Sequence, residues 1–389
     1  MSKRTPEKRP PDPPRKSIVE NAKNGRSFNT LAQLRKVAQK PSKNATSKNA
    51  PNEHPEDDLK LKSCTTSNDK RVLKKRAKRN YFTTKLAREL VDASIKNPDS
   101  SLKKSYWNTY HCCNVLKLHK DDRVTGDYCK TRWCLVCNAI RTAKLIRDYQ
   151  PTLDTWENKC FVTLTRKSIT DKELSTTIDQ MQKVFNQIKD TIYRRYKKGK
   201  SKPLVGLRKL ECNYNPTTKT YNPHYHLILS DIEVGKVFIQ EWRKRYSKEI
   251  VNEIAQDIRP ADDNSSIELF KYFTKVITKT QKKLPNGKVV SEYNVFVEAM
   301  DVIFNAIKGR RTFQPFGFKK PKPEEEEAPQ IEEGESSIER ITKLVWIQDL
   351  ADWANEDTGE LLSGFIPDET LKKIVKGIRT DKQLNLKFE

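Results

Sequence analysis

Apolar positions change period along this chain, and those changes mark out its elements. Residues 1–80 show no sustained apolar period, and only Leu31–Ala38 suggests a short helix. From Tyr81 to Ile95 apolar residues recur at helical spacing, and Arg141–Tyr149 reads as a further helix ended by Pro151. Cys160-Phe-Val-Thr-Leu-Thr165 is alternating and β-branched, which predicts a strand. Asp171–Lys198 then carries Leu174, Ile178, Met181, Phe185, Ile188 and Ile192 on one helical face. Two strands, Leu204–Asn215 and Thr220–Ser230, flank a hairpin loop at Pro216–Lys219. A helix over Val234–Glu249, a short strand over Ile254–Arg259 and a helix over Ser265–Lys279 follow, and residues 341–354 again hold apolar residues at helical spacing. The order β-α-β-β-α-β-α predicts an α+β fold: an antiparallel sheet with helices packed on one face.

Composition divides the chain further. Only 35% of the residues are apolar and 33% are charged, which leaves a modest core for 389 residues. The net charge of +25 is uneven: residues 1–80 hold 22 Lys/Arg against 8 Asp/Glu. That stretch reads as a disordered basic tail, followed by a helical, cysteine-rich segment at 81–150, the patterned domain at 151–318, and an acidic linker with a helical tail at 319–389. A polyanion such as DNA is the natural partner, since each neutralised phosphate releases condensed counterions; a merely lysine-solubilised chain is the alternative. No run approaches a membrane span, and Met1–Lys16 lacks a secretory apolar core, so a cytoplasmic protein with reduced cysteines is expected.

Candidate chemistry concentrates in Asn222-Pro-His224-Tyr-His226-Leu-Ile-Leu-Ser230. On a strand, His224 and His226 share a face, as metal ligands do; two surface histidines are the plain alternative. A four-residue loop at 216–219 puts Asn215 opposite Thr220, hence Glu211 opposite His224 and Lys209 opposite His226. Glu211 thus becomes a third ligand, in a set suited to Mg²⁺ or Mn²⁺. A one-residue slip would turn it away. Downstream, Glu268 and Tyr272 lie four apart and Lys275 three further on, along one face of the expected helix. A tyrosine oxygen can attack a phosphodiester with electrostatic help, and a glutamate can activate a water or a 3′-hydroxyl; an ordinary amphipathic helix would show the same spacing.

Cys129, Cys134 and Cys137, with either Cys112 or Cys113, form a candidate tetrahedral zinc site, with His111 and His119 as competitors and free structural cysteines as the other reading. Cys64, Cys160 and Cys212 look unrelated.

The order of these motifs resembles the plasmid rolling-circle replication initiators, a branch of the HUH (His-hydrophobic-His) endonucleases whose Rep proteins use one catalytic tyrosine. Phe161-Val-Thr-Leu-Thr165 is similar to the first-strand motif, Leu210-Glu211 through Tyr221-Asn-Pro-His224-Tyr-His226 to the metal motif, and Glu268-x-x-x-Tyr272-x-x-Lys275 to the nucleophile motif. Gly309-Arg-Arg311 and Gly317 resemble the stretch beyond, and the likeness covers about residues 110–320. Asn222 stands where the family often has a further histidine. The resemblance implies an HUH, RRM-like palm that nicks one DNA strand at a double-stranded origin. Tyr272 would be the nucleophile, Glu268 the termination base, Lys275 a charge stabiliser, and His224, His226 and Glu211 the metal ligands. Host helicase and polymerase are implied partners, and the chain shows no G-x-x-x-x-G-K-[ST] loop of its own. An HUH transposase, a relaxase-like strand transferase and a non-catalytic zinc-containing DNA-binding protein are the rival readings.

Overall fold

The computed structural model describes residues 69–119, 124–270, 278–283, 289–318 and 342–378. The central sheet orders five strands as β6-β3-β5-β4-β9: β3 is Cys160–Leu164, β4 Gly206–Asn215, β5 Thr220–Leu229, β6 Asp257–Pro260 and β9 Phe313–Phe316. Every neighbouring pair is antiparallel. Alternation along the strands gives the sheet two apolar faces. Val162, Leu164, Leu210, Tyr225, Leu227 and Leu229 meet α4 (Asp171–Lys197) and α5 (Ile232–Lys244) in the main core. The α4 helix begins with a capping box between Thr170 and Glu173, and places Leu174, Ile178, Met181, Phe185, Ile188 and Ile192 in that core. Gly235 lets α5 lie close on the sheet, for a Cβ there would stand 2.8 Å from Cys160 Sγ.

The expectation of helices on one face alone is corrected. Phe161, Leu207 and Ile228 point to the opposite face and are fully buried there, under Tyr149 and Leu153 of α3 (Leu135–Asp154) and Leu269 and Phe270 of α6 (Asp263–Phe270). Leaving three such side chains uncovered would forfeit roughly 5–9 kcal/mol, a sum on the scale of a whole domain's stability. The same burial explains a second correction. The helix expected to stop before Pro151 runs through it to Asp154, because Tyr149 and Leu153 have this pocket to fill.

A second sheet, β11-β10-β1-β2, surrounds the cysteines: β1 is Val115–Leu118, β2 Val124–Gly126, β10 Thr342–Ile347 and β11 Asp352–Asn355. This overturns the helix expected over 341–354 and draws that part of the expected C-terminal tail into the folded body. Thr342-Lys-Leu-Val-Trp-Ile347 is rich in strand-forming residues, and β1 offers it an edge, with Val115 opposite Val345. Further on, α8 (Glu369–Gly377) buries Leu371, Ile374 and Val375 in the main core.

Two boundaries shift. The basic segment expected to be disordered to residue 80 turns helical at Lys70, since α1 spans Lys70–Lys96, capped by Asp69. The helix expected to reach Lys279 is described only to Phe270, and Thr278 opens a strand, β7 (Thr278–Lys283), paired with β8 (Val289–Asn294). The suggested helix at Leu31–Ala38 and the acidic stretch 319–341 lie outside the described residues. The remaining elements are α2 (Lys103–Tyr110) and α7 (Val297–Ile307). Buried Asp301 on α7 accepts from Tyr106 Oη at 2.7 Å, Ser100 Oγ and Asn97 Nδ2, clamping the α1–α2 corner.

Candidate metal centres and the nucleophile helix

The β4–β5 register is the one the loop length requires: Asn215 faces Thr220, Glu211 faces His224 and Lys209 faces His226. With β5 in the middle of the sheet, both imidazoles are largely buried, at 6% and 8% exposure. Each turns Nε2 toward Glu211 Oε2, at 3.6 Å in both cases. The outer nitrogens are held from behind: His224 Nδ1 donates to Asn222 O at 3.0 Å, and His226 Nδ1 lies 3.2 Å from Thr163 Oγ1 on β3. A carbonyl only accepts, so His224 carries a proton on Nδ1, and Nε2 is the atom it turns to the carboxylate. Two ring nitrogens gathered about one carboxylate oxygen at 3.6 Å are suitably spaced for a shared cation. The group Glu211, His224 and His226 could therefore hold a metal ion. Asn222 contributes no ring nitrogen; its side chain ties Arg166 O to Thr165 Oγ1 instead.

Lys209, 4% exposed, is what sequence reasoning left without a role. Its ammonium pairs closely with Glu211 Oε1 and also donates to Glu268 O at 3.2 Å. It thereby joins the Glu-His-His group to α6. Burial alone would raise the Glu211 carboxyl; contacts with His224, His226 and Lys209 overcome that and hold it well below the usual range. The available signal was alternation: on one strand, Lys209 and Glu211 must share the face of His226 and His224. Lys209→Met should destabilise the metal-free protein by about 2–4 kcal/mol, since it strands a largely buried carboxylate. Millimolar Mn²⁺ should recover part of that loss, and more than it adds to the unchanged protein. Urea unfolding with and without Mn²⁺ measures both.

Glu268 is exposed, and its carboxylate accepts from Arg259 Nη2 at 3.1 Å, while Arg259 lies over the Phe161 ring that packs against His226. Phe270 O accepts from Thr142 Oγ1 of α3 at 3.0 Å, so the end of α6 is fixed from two sides. Tyr272 and Lys275 lie outside the described residues, two and five positions past that end.

In the second sheet, the Sγ atoms of Cys112, Cys129, Cys134 and Cys137 all lie within 4.8 Å of one another. Cys112–Cys137, Cys129–Cys137 and Cys134–Cys112 are each 3.6 Å apart, near the edge of a tetrahedron with bonds of about 2.3 Å. Backbone amides of Cys129, Lys130 and Cys137 point at Cys112, Cys137 and Cys134 sulfurs, at 3.3–3.4 Å. The choice between the adjacent cysteines is thus Cys112. Cys113 takes a left-handed conformation (φ 58°) and turns into the module, where its carbonyl accepts from the buried Trp353 Nε1 at 2.6 Å. His111 meets Trp107 and Tyr110 edge-on, and His119 meets Thr125; neither belongs to the four-sulfur group. Cys160 and Cys212 are packed in the main core, and Cys64 is outside the described residues.

An antiparallel palm carrying a carboxylate–imidazole pair site, joined to a sheet module that gathers four cysteines, defines a mixed α/β protein with two places fit for metal. Residues 121–348 match the replication protein family Rep_1, and the chain belongs to that family. A Protein rep from Streptococcus pneumoniae serotype 2 is 33% identical over 109 residues, 26% of this chain and 32% of that protein. A Protein rep from a Bacillus species is 27% identical over 152 residues, covering 35% and 48%, and one from Staphylococcus aureus is 28% identical over 160 residues, covering 40% and 66%. The chain thus spans a third to two thirds of the length of these curated relatives. No solved structure matches it significantly. Among the described residues no helix is long and apolar enough to cross a membrane.

Proposed function

We propose that this replication protein is a plasmid initiator of the single-tyrosine HUH type, which nicks one strand at a double-stranded origin. The carrying observation is the hydrogen bond from Lys209, itself paired with Glu211, to the carbonyl of Glu268 on the helix that leads to Tyr272. It supports a site in which the metal ligands and the nucleophile are built as one unit. Glu211, His224 and His226 would hold Mg²⁺ or Mn²⁺, and a divalent ion so bound would draw charge from a non-bridging oxygen of the scissile phosphate.

The Tyr272 phenol oxygen attacks phosphorus, its proton departs, and the bond to the upstream 3′-oxygen breaks. The products are a 5′-phosphotyrosine and a 3′-hydroxyl from which a host polymerase can extend. Lys275 steadies the developing charge. Glu268, aimed by Arg259, takes the proton from an incoming 3′-hydroxyl or water when the phosphotyrosine is resolved. A host helicase supplies unwinding, and the four cysteines hold a structural Zn²⁺.

The test uses the full chain, Mn²⁺ and end-labelled single-stranded oligonucleotides from the plasmid origin. The unchanged protein should give a labelled protein band that survives denaturation, and Tyr272→Phe should give none while still retaining the oligonucleotide. An adduct formed undiminished by Tyr272→Phe would reject the reading.

A further inference from the structure

The charge on α1 is arranged against the helix's own stability. Every charged residue from Lys70 to Arg88 is basic, and Lys70, Arg71, Lys74, Lys78 and Arg88 are exposed. Lys70, Lys74 and Lys78 follow one another at four-residue steps, so like charges are stacked on one face, each such pair costing a few tenths of a kcal/mol. They also crowd the end of the helix where the macrodipole disfavours cations; beyond the Asp69 cap, the first turn has no acid. The same chain builds solvated helices otherwise. The α4 helix opens with Asp171 and Glu173 and closes with Arg194, Arg195 and Lys197, and α8 opens with Glu369 and closes with Lys376. A face made only for solubility would follow those patterns.

Below this basic face, α1 is part of the cysteine module. Ala77 packs among Cys112, Cys113, Cys134 and Cys137, and Thr83 Oγ1 accepts from Leu135 N at 3.2 Å. The cations are thus mounted on a rigid base, along about 26 Å of helix from Arg71 to Arg88 at 1.5 Å per residue. Steps of about 6 Å between four-spaced lysines are commensurate with neighbouring phosphates on one strand. A stiff, straight line of cations suits a stiff duplex.

We infer that the exposed basic face of α1 is a docking surface for the phosphate backbone of duplex DNA, set on the cysteine module and separate from the nicking site. The partner's identity rests on the DNA-processing reading; the surface itself rests on the charge pattern. Binding would relieve the repulsion that the free helix carries, and would hold duplex flanking the nick while the palm works on the exposed strand.

The experiment compares the full chain with its Arg71→Gln, Lys74→Gln, Lys78→Gln triple variant, glutamine preserving helix propensity. Fluorescence anisotropy across a salt series is read with two probes, a duplex of arbitrary sequence and oligo-dT. The triple variant should lower the slope of log K against log salt by roughly 2.7 on duplex, which is ~10²-fold weaker binding near physiological salt, with oligo-dT binding nearly unchanged. Lys172→Gln with Lys183→Gln on α4 should leave the duplex slope in place, and the triple variant should melt no lower than the parent. An unaltered duplex slope marks α1 as a solvated face and overturns the inference; equal losses on both probes overturn the choice of duplex. Adduct formation on single-stranded origin DNA reports separately on the nicking site, so failure there with an intact slope effect would indict only the proposed nuclease.

Discussion

His226→Ala is expected to slow Mn²⁺-dependent nicking ~10²- to 10³-fold or more, with little effect on duplex binding. The side chain would supply one of three donors, and removing a group that stabilises transition-state charge in a partly dry site costs two to three orders of magnitude or more. His226 is also the donor with two independent supports, Thr163 Oγ1 at its Nδ1 and the Phe161 ring against its face. A graded control follows. Thr163→Val removes only the hydroxyl that orients the ring, so metal affinity should fall about 10- to 100-fold while nicking at saturating Mn²⁺ recovers most of its rate. Binding is measured by Mn²⁺ titration and rate by single-turnover cleavage. If His226→Ala nicks normally at saturating Mn²⁺, the Glu-His-His group is not the metal centre. Thermal melting gives a second readout: Mn²⁺ should raise the midpoint of the unchanged protein and leave that of His226→Ala where it was, since only a bound ligand shifts the folding equilibrium.

That site was legible because a strand repeats every two residues and a short loop leaves little freedom in register. His224 and His226, Glu211 and Lys209 are therefore placed by counting alone, as their observed partners show. Tertiary demand escaped the same counting. Nothing local in Arg141–Asp154 announces that Leu153 will be needed to cover Phe161 and Ile228, so Pro151 reads as a stop. Nor does residue 345 carry a mark of pairing with residue 115. Helical spacing of apolar residues over 341–354 was present, but an available β1 edge decided the outcome. The two adjacent cysteines were unresolvable from spacing, since the backbone at Cys113 is left-handed and only the Cys112 sulfur joins the four-sulfur group, with that of Cys113 beside it at 4.0 Å. Lys209 was placed but not understood, because its second partner is a backbone carbonyl on α6.

Cys134→Ser, or treatment with a strong chelator, is expected to unfold the second sheet while sparing the palm. Cys134 is fully buried, and its Sγ both caps α3, accepting from Cys137 N at 3.4 Å, and lies 3.6 Å from Cys112 Sγ. Without metal the four thiols can only share protons: hydrogen bonds from Cys112, Cys134 and Cys137 pull the Cys129 thiol far below its usual range, while those with Cys112, Cys129 and Cys137, together with burial, push Cys134 well above it. Such an arrangement favours one thiolate over the four that a Zn²⁺ ion would engage, so metal binding and folding of the module are coupled. The module has little else to hold it, since its own apolar cluster is small and β10–β11 joins from the far end of the chain. A loss on the order of several kcal/mol should follow, lowering the module's melting by roughly 10 °C or more. Trp353 reports it directly: its ring is fully buried, and its Nε1 donates to Cys113 O, so chelation should red-shift its emission and release the amides of β1 and β10 to hydrogen exchange. Trp353→Phe identifies that share of the signal among six tryptophans. Amides of β3 and β5 should stay protected throughout. A protein that holds about one zinc per chain and loses this protection on chelation fits the four-cysteine site; one that is metal-free as purified from zinc-supplemented cells, with β1 and β10 protected all the same, has a module held by packing alone.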